Sequence, residues 1–234
     1  ISCASCHQQS HGFADTSRFS TGFTGGTTPR HSMALANAVY YLNGRFFWDE
    51  RAATLEEQVL QPIEDPIEMG MTMPEVIERL NMTEYYPILF ENAFGSREVS
   101  NDKIAKALAQ FVRSMVSYDS KYDEGRSAVS ERTLDFPNFS QEENAGKKIF
   151  MSNTKVNCFG CHNTDVFIGD NARNNGLSEQ NIDEGTYIHT QNELDKGKFK
   201  TPSLKNIAVR GRFMHDGSFT SLDQVIEHYN SGIR

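Results

Sequence analysis

Apolar side chains recur at helical spacing in several stretches of the chain. Ile104, Leu108, Phe111, Val112 and Met115 fall on one side of the segment 103–117, which Ser100 and Asp102 open. Shorter helical patterns cover 74–80 and 84–94. Ser140, three residues before Glu143, forms a capping box that opens a helix over 141–151. Ser221 caps another over 222–229. Between these, 12–29 is rich in Gly, Ser and Thr, and 163–198 is polar with repeated Asn and Gly, so both read as loops. Strand-like alternation is scarce. The pattern predicts a mostly α fold with long loops and few strands.

Composition changes that picture in one respect. Only 38% of the 234 residues are hydrophobic, low for an ordinary core of this size. An interior completed by bulky apolar cofactors would account for the shortfall. No apolar run is long enough to span a bilayer. The net charge of −8 argues against nucleic acid as a partner.

The cofactor is written in the cysteines. All four fall in two Cys-x-x-Cys-His motifs, Cys3/Cys6/His7 and Cys158/Cys161/His162. On one helical turn the two thiols share a face and can reach the vinyl groups of one porphyrin. The histidine shares that face and can reach the iron. Two copies with no spare cysteine predict two haem c groups. A four-thiolate zinc site or a disulfide pair are the alternatives, and neither needs a histidine after each pair. The motifs are 155 residues apart, which suggests one haem per domain. Pro137 and the capping box at Ser140 place the boundary within 132–139, giving domains 1–135 and 136–234. Outside the motifs the two halves show no evident likeness. The chain begins at Ile1 with Cys3 almost at its end, so a mature or trimmed form is expected. In bacteria thioether attachment is an export-side process, which implies the periplasm or another extracytoplasmic space.

The chain resembles the bacterial di-haem cytochrome c peroxidase and MauG family along essentially its whole length. The resemblance rests on the first haem motif with Gly12-Phe13-Ala14-Asp15, on 47–52 (Phe-Trp-Asp-Glu-Arg-Ala) and on Leu55-Glu56-Glu57-Gln58. Pro62-Ile63, Glu68-Met69-Gly70 and 107–114 continue it, followed by the second haem motif, 199–206 (Phe-Lys-Thr-Pro-Ser-Leu-Lys-Asn) and Met214-His215-Asp216-Gly217-Ser218. It implies a haem in each domain, around a cleft that often holds calcium.

The resemblance also implies roles. His7 and His162 are the proximal iron ligands. Gln58, Pro62 and Glu68 match the distal pocket of the first haem, with Glu68 as acid/base and Gln58 as an orienting group. The distal His of many family peroxidases has no counterpart in 21–29, which implies an open iron. The sixth ligand of the second haem aligns with Tyr229, where peroxidases carry Met and MauG-like proteins Tyr. Met214, His215 and His228 are rivals. Trp48, the only tryptophan, aligns with the family residue between the haems and is the expected electron relay. The family's calcium ligands are main-chain carbonyls, here of Arg210 and Arg212, with an Asn side chain whose position His31 takes. Val156 stands where MauG has a surface Trp that takes electrons from its protein substrate.

The expected activity is reduction of hydrogen peroxide to water with electrons from a small cytochrome c or cupredoxin. The alternatives are a MauG-like oxidase of an organic or protein substrate and a non-enzymatic carrier with both irons six-coordinate. A homodimer is compatible with the sequence.

Overall fold

The computed structural model describes residues 1–152, 154, 156–180 and 182–233. Eight α-helices and one two-stranded sheet are found among them. Four helices stand together in the first half: α1 (Leu55–Glu64), α2 (Met73–Asn81), α3 (Tyr85–Phe94) and α4 (Asn101–Ser114). Next come α5 (Lys121–Ser127) and α6 (Gln141–Phe150), then β1 (Ala172–Arg173), α7 (Tyr187–Thr190), β2 (Phe199–Lys200) and α8 (Leu222–Glu227). Strands β1 and β2 pair antiparallel, Ala172 opposite Lys200. The expected mostly α architecture with long loops is the one observed.

Local chemistry sets the helix starts. The hydroxyls of Thr54, Thr72, Ser100, Ser120, Ser140 and Ser221 each accept from the backbone N–H three residues on. The Ser140–Glu143 box is reciprocal, as the sequence implies. Helix α4 begins two residues earlier than its apolar pattern and stops at Ser114, because Met115 leaves helical geometry. Helix α8 gives way after Glu227 to a wider π turn, His228–Gly232.

The main core joins Ile63, Met73, Phe90, Val99 and Ile104, one or more from each of α1 to α4. Leu55 packs on Ala109 and Val112 to join α1 to α4. A bidentate pair, Arg113 to Glu56 at 2.6 and 2.9 Å, closes the same contact. A separate aromatic cluster lies around the second cysteine motif. Tyr122 packs on Phe136 and Phe167, and Phe150 on Phe167. Tyr122 belongs to α5, which is also tied to the second half by Lys205–Asp123 at 2.5 Å and Lys121–Glu143 at 2.6 Å.

The two halves share more than their cysteine motifs. Asn37 and Asn206, both left-handed, each start a 3-10 turn. Gly44-Arg45-Phe46 and Gly211-Arg212-Phe213 follow them. Each then forms a narrow loop closed by one antiparallel bridge, Phe46 to Ala52 and Phe213 to Phe219. Positive φ recurs at Phe47 (67°) and Met214 (70°), and again at Glu50 (58°) and Gly217 (63°). Capped helices α1 and α8 follow at equal distance. Trp48 therefore corresponds to His215, His31 to Lys200, Tyr41 to Arg210 and Pro62 to Tyr229. The corresponding pieces meet: the N–H of His31 donates to the carbonyl of His215 at 2.8 Å, and that of Lys200 to the carbonyl of Trp48 at 2.7 Å. The junction is thus an internal two-fold swap.

Candidate haem sites

Each cysteine motif is a single tight turn. In the first, the N–H groups of Cys6 and His7 both donate to the carbonyl of Cys3. In the second, those of Cys161 and His162 donate to the carbonyl of Cys158. His7 then places Nδ1 2.9 Å from the carbonyl of Phe13, and His162 places its own 2.9 Å from that of Phe167. A carbonyl partner requires the proton on Nδ1, so Nε2 keeps its lone pair. Burial lowers the pKa of both imidazoles, which keeps them neutral. A neutral histidine, anchored through Nδ1 and free at Nε2, is what an axial iron ligand needs. No disulfide joins any of the four cysteines. Among the described residues no three His, Cys, Asp or Glu side chains converge as a metal site, so the two pairs do not pool into a zinc centre. The residues fit one haem c at each turn.

Different side chains face the two turns. At the first, burial raises the Cys6 thiol pKa, and the charges of Asp15 and Glu68 add to the rise. Glu68 therefore lies within electrostatic reach of that turn. Its own carboxyl is raised by burial and then by Asp65, with Arg51 opposing. The loop after α1 puts it there: Met69 N–H donates to Pro62 O, and Gly70 N–H to Asp65 O. Gln58 is half-buried on α1.

At the second turn, burial raises the Tyr229 hydroxyl, and Cys161 and Cys158 push it further. Tyr229 thus faces the second motif, with Asn175 beside its oxygen. The three rivals each have contacts of their own, two of them with the same Asn175. His228 sets Nε2 at 2.9 Å from the carbonyl of Asn175. Met214 sulfur accepts from the Asn175 amide at 3.3 Å. His215 stacks on Phe199 at 3.6 Å.

Trp48 lies between the halves. Its Nε1–H donates to the carbonyl of His31 at 2.7 Å, and its ring meets His215 edge-on at 6.5 Å. The neighbouring Asp49 is buried, yet Arg30 at 2.6 Å and Arg51 at 3.1 Å pull its carboxyl below the usual range. Val156 is on the surface.

A buried polar group at the junction is not evident from sequence. Tyr41 donates its hydroxyl to Glu50, which also accepts from Asn43 at 2.9 Å. Lys200 sits over the Tyr41 ring at 4.2 Å, and burial pushes its ammonium down to about 8 despite the charge of Glu50. Burial pushes the Arg210 guanidinium down to about 10. The repeat could have revealed these residues, since Tyr41 and Arg210 stand at the same place in it.

Comparison with known proteins gives the same assignment. A family model described as di-haem cytochrome c peroxidase matches residues 1–128. The methylamine utilization protein MauG of Methylophilus methylotrophus is 32% identical over 231 residues, covering 99% of this chain and 67% of the relative. The chain belongs to the di-haem cytochrome c peroxidase family. This is a family of haem oxidoreductases. Cytochrome c551 peroxidase of Nitrosomonas europaea is 33% identical, covering 97% of this chain and 66% of the relative. The crystal structure of a MauG-like protein associated with microbial copper homeostasis superposes with a TM-score of 0.86 at 31% identity, covering 100% of this chain and 71% of that one. The chain spans about two thirds of the length of these relatives. Both peroxidases and MauG proteins are therefore its kin.

Proposed function

We propose that the chain is the two-haem core of a peroxidase that converts hydrogen peroxide to two waters, taking up two electrons and two protons. The observation that carries this reading is the unequal furnishing of two otherwise repeated haem turns. Tyr229 offers a phenol oxygen near the second turn, whereas the corresponding Pro62 offers no ligand atom near the first. Bound haem would supply redox chemistry at iron; His7 would hold the first group, and His162 with Tyr229 the second.

The chain's own residues supply the rest. Cys3, Cys6, Cys158 and Cys161 anchor the two porphyrins, and His7 and His162 donate Nε2. Glu68 shuttles a proton from the inner to the outer peroxide oxygen, helped by a carboxyl that burial keeps raised. Gln58 orients the substrate. Trp48, edge-on to His215, offers a π path between the halves. We group α5 with the second haem unit, in view of its contacts to Phe167 and Lys205. The electron donor is a small cytochrome c or cupredoxin, and the compartment is extracytoplasmic because haem c is attached there. No described helix is long and apolar enough to cross a membrane.

Mixing the ferric holoprotein with peroxide and a reduced cytochrome c or cupredoxin tests this: one peroxide should vanish per two donors oxidised. Glu68→Gln should lower turnover by about 10²–10⁴-fold with both haems attached. Undiminished turnover would remove Glu68 from the mechanism. A MauG-like oxidase is the second reading, favoured by a tyrosine at 229. It predicts that oxidising power persists without donor and is discharged by an organic or protein substrate. Val156, at the place of the MauG surface Trp, weighs against the same protein-oxidation route.

A further inference from the structure

The family resemblance sets a calcium position between residue 31 and the turn at 210–212, and the residues there do not suit that ion. Calcium takes 6–8 oxygen ligands. Here residue 31 offers an imidazole. Two carbonyls, of Ser17 and Arg18, face its Nδ1 at 3.2 and 3.3 Å, so the proton lies on Nδ1. Its Nε2 is a buried acceptor without a partner. Asp15, the carboxylate felt at His31, already accepts from the Ser17 N–H and the Ser20 hydroxyl.

A cation is nonetheless present. The Arg210 guanidinium donates to the carbonyls of Ser203 at 3.1 Å and Lys205 at 3.2 Å. Its charge is felt at His31, and its Nε–H is a buried donor without a partner. Both groups are buried and unpaired on the same side of the junction. Among the described residues no carboxylate offsets this charge. The internal repeat strengthens the point. Lys200, the counterpart of His31, sends its ammonium over Tyr41, the counterpart of Arg210. On that side Glu50 balances the charge. Its counterpart is Gly217, beside His31, where even a Cβ would meet Arg18 O at 2.9 Å and His31 Cβ at 3.2 Å. There is no room at 217 for an acidic side chain that would balance a divalent ion placed beside Arg210.

We infer that Arg210 takes the place of the divalent ion: this chain holds its junction charge covalently and binds no calcium there. Arg210 is a positioning residue. It gathers the 203–205 segment by its carbonyls, beside His31, whose own carbonyl holds Trp48.

The test uses the holoprotein, dialysed against EGTA and then given calcium. A calcium site filled at about 100 times its Kd would raise Tm by roughly 5–10 °C. The expected wild-type result is no bound calcium by metal analysis, and Tm and visible spectrum unchanged by either treatment. Arg210→Gln should lower Tm by roughly 5 °C, while Arg210→Lys, keeping the charge, recovers part of it. Stoichiometric calcium in the wild type, removed by EGTA with a fall in Tm, would overturn the inference. So would an Arg210→Gln variant as stable as the wild type. If that variant does not fold, the wild-type calcium measurement decides alone. Peroxide turnover enters neither arm, so the result stands apart from the proposed activity.

Discussion

Tyr229 and Glu68 are the two side chains whose replacement separates the haem sites. Burial raises the Tyr229 hydroxyl, so as a free phenol it keeps its proton at neutral pH. A bound iron would have to displace that proton to take the oxygen as a ligand. Tyr229→Phe should therefore change the visible and magnetic signature of one haem and leave the other as it was. An unchanged spectrum would make Tyr229 a packing residue. Lys200 allows a pH prediction. Its folded pKa of about 8 lies below the ordinary lysine value. The unfolded chain then binds the extra proton between those values, so folding becomes more favourable as pH rises through that window. Lys200→Met removes the effect. The stability of wild type relative to this variant should rise by about 3 kcal/mol between pH 7 and pH 11, measured by denaturant unfolding. A pH-independent difference would mean that Lys200 titrates normally.

At the scale of elements, the contact of α1 with α4 turns on a small residue. Ala109 is fully buried against Leu55. Ala109→Leu has no space to fill and should destabilise the fold by about 1–3 kcal/mol, read as a shift in the denaturant midpoint. Helices α2, α4, α6 and α8 were legible because apolar spacing and caps agree, and α3 by its apolar residues alone. Helix α1 was not: Glu56, Glu57 and Gln58 lead it, Pro62 sits in its last turn, and its stability comes from Leu55 and Ile63 in the core. Helix α5 is only seven residues long and contains Gly125, whose lack of a side chain lets Phe136 and Asn138 pack closely. At the sites, the covalent anchors and proximal histidines were legible because thioether chemistry fixes their spacing. The buried cations were not, since nothing in sequence states which way Arg210 or Lys200 turns. The repeat was hidden by two extra residues at Leu42 and Asn43 and by the longer loop in 163–198.

Across the whole molecule the two halves meet through matched pieces of chain, with Trp48 and His215 at equivalent places. Trp48→Phe keeps a ring but loses the bond to the His31 carbonyl. Both haem spectra should persist while donor-driven peroxide turnover slows. Equal turnover in wild type and variant would take Trp48 off the electron path. The reciprocal bonds from His31 to His215 and from Lys200 to Trp48 use backbone atoms alone. Such a clasp is indifferent to side-chain identity at all four positions, proline at a donor excepted. The aromatic bridge, the imidazole or the ammonium can therefore be exchanged one at a time while the spacing between the two halves stays locked.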